Sequence, residues 1–180
     1  MQLDSAGWLD EAAHIPSPNS DERPDNEVPS LIVIHNISLP PGDFSGNAVE
    51  ALFTNQLDWD AHPYYQAIRG LTVSTHFFIR RDGEIIQFVP CARRAWHAGA
   101  SQWQGRERCN DFSIGIELEG TDDVPFTGMQ YSRLEELLAV LKAAYPISGI
   151  TGHSHVAPGR KTDPGPCFDW KRIGVDPACA

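Results

Sequence analysis

Leu31-Ile32-Val33-Ile34 is an unbroken apolar run in which every residue but the first is β-branched. Such a run is too short for a free-standing helix and has no polar alternation, so it predicts a strand buried on both faces, in the middle of a sheet. It ends at His35-Asn36. A polar pair at the end of a buried strand is where sites in open sheets are often found. The competing reading of His35 is a core histidine bonded to a backbone carbonyl.

The rest of the chain supports a protein built around such a strand. Its 180 residues fit one domain with a full core. The polar, Pro-, Asp- and Ser-rich residues 1–30 are expected to be an irregular arm that packs Trp8 and Ile15 onto the body. The net charge of −10 offers no electrostatic footprint for nucleic acid or an anionic membrane, and no apolar run approaches a membrane span. The start has neither a basic n-region nor an apolar h-region, so the expectation is a cytoplasmic protein, taken as a monomer. Cys91, Cys109, Cys167 and Cys179 form no C-x-x-C pair and are expected as free thiols.

Helical spacing of Ala48, Val49, Leu52 and Phe53 predicts a short helix over 46–55, and residues 58–65 are expected as loop. Residues 72–79 and 85–89, joined through Asp82-Gly83, predict a hairpin. Residues 90–111 are expected to be mostly loop. There Trp96 offers an apolar wall and Arg108 a carboxylate-binding fork, against plainer readings as a packing tryptophan and a solvated arginine.

Residues 112–120 alternate strictly. Phe112, Ile114, Ile116 and Leu118 share one face; Ser113, Gly115, Glu117 and Glu119 share the other. The small residues suggest space for a ligand, with Glu117 as candidate general base, unless the face is simply solvated. Thr127 and Gln130 fit a capping box before an amphipathic helix whose stripe is Leu134, Leu137, Leu138 and Leu141. A short strand over 147–151 should follow.

It leads into Gly152-His153-Ser154-His155, and on through Arg160-Lys161-Thr162-Asp163-Pro164-Gly165. Imidazole and carboxylate are good zinc ligands, and the Pro and Gly content predicts a loop rather than a helix. His153 and Asp163 can supply two ligands; His155 and Cys167 are rivals, and a polar surface loop is the plain alternative. If the strands lie side by side, His35, Glu117 and His153 converge at one edge of the sheet. A His/His/Asp set leaves an open coordination position, as a catalytic zinc requires.

These residues also carry a resemblance. Pro16-Ser17-Pro18, Val33 to Gly42, Arg80-Arg81-Asp82-Gly83, Ala95-Trp96-His97-Ala98-Gly99, Gly105 to Gly120 and Arg160 to Gly165 together resemble the zinc-dependent N-acetylmuramoyl-L-alanine amidases. That fold is shared with phage amidase-type lysozymes and peptidoglycan recognition proteins. The resemblance covers nearly the whole chain and implies an α/β (α+β) fold, a mixed central sheet flanked by helices, as one amidase domain over 1–180. It implies one zinc per chain on His35, His153 and Asp163, Glu117 and Lys161 as catalytic pair, and Asn36, Arg108 and Trp96 as substrate contacts. Ser154-His155 departs from the family pattern, which has Cys and then Asn or Asp after the ligand histidine; Asp163 in place of a ligand Cys points to the branch acting on anhydromuropeptides in cell-wall recycling. The alternatives are a recognition module without metal and a lytic amidase of the intact wall.

Overall fold

The protein is seen here as a computed structural model that describes residues 1–176; Cys179 lies outside them. The strands are β1 (Ala13–His14), β2 (Ser20–Glu22), β3 (Leu31–Ile37), β4 (Phe77–Ile79), β5 (Ile85–Gln87), β6 (Arg93–Ala95), β7 (Gln102–Trp103), β8 (Arg106–Glu107), β9 (Ser113–Glu119) and β10 (Gly149–Gly152). The helices are α1 (Ala48–Phe53), α2 (Pro63–Ala67), α3 (Gly128–Ala144) and α4 (His153–Val156).

The 31–34 run lies in β3, inside a mixed six-stranded sheet of order β1-β5-β4-β9-β3-β10. β9 and β10 flank β3, both parallel to it, and only β4 and β5 pair antiparallel in this sheet. Ile32 and Ile34 face α3, whose Leu134, Leu137, Leu138 and Leu141 are buried against them. On the other face Leu31 and Val33 pack with Ala98, Phe112 and Val156, and Phe78 and Ile86 pack with Val49, Leu52 and Phe53 of α1. Each such fully buried side chain contributes about 1.5–3 kcal/mol. The capping box at Thr127 is formed, with its side chain accepting from Gln130 N–H. No helix among the described residues is long and apolar enough to cross a membrane.

Several expectations need correction. Residues 63–67 are helical, because Pro63 suits a first helical position and His62 Nδ1 accepts the Tyr64 N–H at 3.1 Å. The expected strand over 72–79 shortens to β4: Ser74 N–H donates to Trp96 O and Thr75 Oγ1 to Gly115 O, which takes that stretch out of the regular ladder. Residues 1–30 contain β1, parallel to β5, and β2, antiparallel to β6. Leu9 is the arm's fully buried anchor, while Trp8 stacks on His14 and Ile15 packs beside α1. The segment after Gly152 begins as the single helical turn α4, then leaves the helix at Ala157.

Candidate metal and catalytic centre

Strand register builds the site. His35 pairs with Glu117 across β3 and β9, and Gly152 pairs with Ile34, so His153 emerges next to His35. Ser154 N–H donates to Asp163 O at 2.9 Å, which folds the following loop back onto α4. His35 Nδ1, His153 Nδ1 and Asp163 Oδ2 then form a triangle with sides of 2.9, 3.0 and 3.0 Å. Both imidazoles are buried, and Asp163 is 14% exposed. His155 turns its ring toward Trp170 instead, and neither it nor Cys167 belongs to the group.

This donor set fits a metal ion. Ligands 2.0–2.1 Å from a tetrahedral zinc stand about 3.3 Å apart, close to the observed edges. His153 Nε2 lies 3.2 Å from Ala98 O, so the ring donates there and its Nδ1 lone pair faces the centre of the triangle. Burial and the neighbouring His153 push the His35 pKa down to about 4, so His35 is neutral at pH 7. Burial works against ionising Asp163, but the adjacent His153 and His35 outweigh it and hold the carboxyl well below its ordinary value. Neutral imidazoles and a carboxylate are the ligand forms of these groups.

Glu117 Oε2 is buried without a hydrogen-bond partner among the described residues. Burial, reinforced by Asp163 and opposed by Lys161, raises the Glu117 pKa well above the ordinary value. Lys161 is exposed at the same cleft. The cleft has a volume of about 460 Å³. One end holds Glu117, His153, Lys161 and Asp163; the other walls mix apolar Leu39, Ile68, Leu71, Val73 and Trp96 with polar Ser38, Thr72, Ser74 and Arg160. That combination suits a ligand with a reacting polar bond and a body of mixed polarity.

Not every candidate is gathered there. Trp96 lines the cleft. Asn36 is outside its lining, with its amide donating to Asp122 Oδ1 at 2.8 Å. Arg108 lies beside a separate hollow, 70% exposed and 3.2 Å from Asp111. The expected free space over the small residues of β9 is filled: a Cβ on Gly115 would lie 2.5 Å from the His97 ring, and Ser113 Oγ is 3.1 Å from His97 Nε2. Glu119 is held by Arg81 N–H and Arg80, which leaves Glu117 as that face's acid in the cleft. Two residues at the site had been passed over, His97 and Arg160, whose guanidinium donates to Ala98 O and Ala100 O at 2.7 Å each. The Trp96-His97-Ala98-Gly99 motif was the available signal for the first, and the Arg160-Lys161-Thr162-Asp163-Pro164-Gly165 motif for the second.

The profile of the N-acetylmuramoyl-L-alanine amidase family matches residues 25–166. The chain is 58% identical over 171 residues to the 1,6-anhydro-N-acetylmuramyl-L-alanine amidase AmpD of Escherichia coli K12, covering 94% of this chain and 93% of that one. It is 59% identical over 175 residues to AmpD of Citrobacter freundii, covering 96% and 93%. A crystal structure of a selenomethionine AmpD derivative superposes with a TM-score of 0.94 at 59% identity, over 96% of this chain and 97% of that one. The amidase AmiD of E. coli, solved with anhydro-N-acetylmuramic acid-L-Ala-D-γ-Glu-L-Lys, superposes at 0.57 with 29% identity, over 95% and 63%.

Proposed function

The chain belongs to the N-acetylmuramoyl-L-alanine amidase family, and we propose that it hydrolyses the amide joining the lactyl carbonyl of a 1,6-anhydro-N-acetylmuramyl peptide to L-alanine. The observation that carries this reading is the convergence of His35 Nδ1, His153 Nδ1 and Asp163 Oδ2 beside Glu117 and Lys161 at one end of a cleft.

His35, His153 and Asp163 hold one zinc ion, and Glu117 and Lys161 act on the substrate. Zinc held there would supply Lewis acidity, to polarise the scissile carbonyl and to acidify water to a pKa of about 7. Glu117 takes the proton of the attacking water and passes it to the leaving alanine amine. Its raised proton affinity suits it to both halves of that transfer. Lys161 sets an ammonium against the oxyanion that forms on the carbonyl oxygen. Trp96, with Leu39, Ile68, Leu71 and Val73 on the cleft wall, offers an apolar surface for the substrate. Asn36 and Arg108 are proposed as substrate contacts although both stand outside the lining of this cleft. The amidase domain is read as acting as a monomer in cytoplasmic cell-wall recycling; the likeness to proteins named 1,6-anhydro-N-acetylmuramyl-L-alanine amidase supports the choice of substrate.

The test is zinc content by mass spectrometry together with turnover of an anhydromuropeptide, before and after chelation. The expected result is about one zinc per chain, with activity lost on chelation and restored by zinc. His35→Ala should lose the metal. Unchanged zinc content in that variant removes His35 from the ligand set, and muropeptide binding without metal or turnover makes the chain a recognition module.

A further inference from the structure

His97 is the buried neighbour of the metal triangle for which the reaction has no use. Its Nδ1 lies 2.9 Å from His35 Nε2, and its Nε2 lies 3.1 Å from Ser113 Oγ. The ring is seated over Gly115, where any Cβ would collide with it. Asn110 Oδ1 accepts the backbone N–H groups of His97 and Ala98 and fixes the segment that carries the ring.

One proton is shared across each of these contacts. If His35 is to present a bare Nδ1 to the triangle, its proton must sit on Nε2. His97 Nδ1 must then be bare to accept it, the His97 proton must sit on Nε2, and Ser113 Oγ must accept that proton in turn. We propose that His97 is a positioning residue for His35. Its Nδ1 accepts the Nε2–H of His35 and so holds the His35 lone pair on the side of His153 and Asp163. Ser113 and Gly115 set the tautomer and seat of His97. The inference rests on the zinc reading above and adds the group that orients one ligand. Partners of this kind behind metal-bound histidines commonly change metal affinity by about 10–100-fold when removed.

The test pairs two variants of the full chain with the same side-chain shape. His97→Asn keeps an oxygen acceptor at the position of Nδ1; His97→Leu places a methyl group there. Zinc affinity is measured by competition with a chromogenic chelator. His97→Leu should bind zinc about 10–100-fold more weakly than wild type, with His97→Asn recovering most of the loss. Equal affinities in the two variants, or weaker binding by Asn than by Leu, would overturn the role of His97. Nitrogen-15 NMR of the zinc-loaded wild type at pH 7.5 decides the matter without any variant: the His97 proton belongs on Nε2, and a proton on Nδ1 refutes the proposal. Wild-type protein that binds no zinc at all removes the metal reading itself, a failure distinct from equal Leu and Asn affinities beside tight wild-type binding.

Discussion

At the scale of residues, the proposed mechanism separates groups that would hold the metal from groups that would act on substrate. Glu117 and Lys161 stand at the cleft without being members of the His35, His153, Asp163 triangle. Their loss should therefore spare the metal. Glu117→Gln keeps the shape of the side chain and removes its basicity, and general-base catalysis contributes about 10²–10⁴-fold. Lys161→Ala removes an electrostatic donor that supplies about 3–4 kcal/mol, or roughly 10²–10³-fold. Both variants should retain about one zinc per chain while turnover of an anhydromuropeptide falls by those factors. Full turnover in either, with zinc bound, would end its assignment.

At the scale of elements, the site depends on how α1, β4 and β9 are clamped behind it. Arg80, which follows β4, reaches Glu50 on α1 at very short range and Glu119 on β9 at 3.3 Å. Both carboxylates are largely buried, and Arg80 is 19% exposed. Removing one partner of a buried charge group leaves the others uncompensated, which typically costs about 3–5 kcal/mol. Arg80→Ala is expected at the lower end of that range because water reaches the guanidinium, measured as a shift in urea midpoint. A loss below about 1 kcal/mol would mean the cluster behaves as a surface ion pair. The hairpin motif Arg80-Arg81-Asp82-Gly83 thus has a physical use beyond its turn, since Arg81 N–H also donates to Glu119 Oε2 at 2.9 Å.

At the scale of the whole molecule, buried histidines tie stability to pH. His76 accepts the Gly115 N–H on Nδ1 at 3.0 Å and lies 3.1 Å from Arg93 O through Nε2, beside the Arg23 guanidinium and the His97 ring. Burial and then the Arg23 charge push its pKa down to about 3. The unfolded chain takes up this proton near the ordinary value of about 6.5, so it binds more protons than the folded chain between about 6.5 and 3. Stability from this group is complete above about pH 6.5 and falls by roughly 1.4 kcal/mol per unit as the pH drops below it. His76→Asn, which keeps an acceptor for Gly115, should flatten the urea-midpoint slope between pH 6.5 and 5 by about one proton. An unchanged slope would show that His76 does not carry it.

Patterns local in sequence determined about half of the elements. The apolar 31–34 run, the strict alternation of 112–120 and the capping box at Thr127 correspond to β3, β9 and α3, because buried faces and helix ends select residues at fixed short spacings. Long motifs in one order also pointed to the amidase family. Only tertiary structure decided that Ser113 and Gly115 face a histidine rather than a ligand, that Asn36 bonds Asp122, and that His155 turns to Trp170. Those outcomes depend on contacts between residues far apart in the chain, and on the parallel register that sets His35 against Glu117 and Ile34 against Gly152. Periodicity says which face a side chain takes within its own strand; what meets that face is set by the packing of the whole chain.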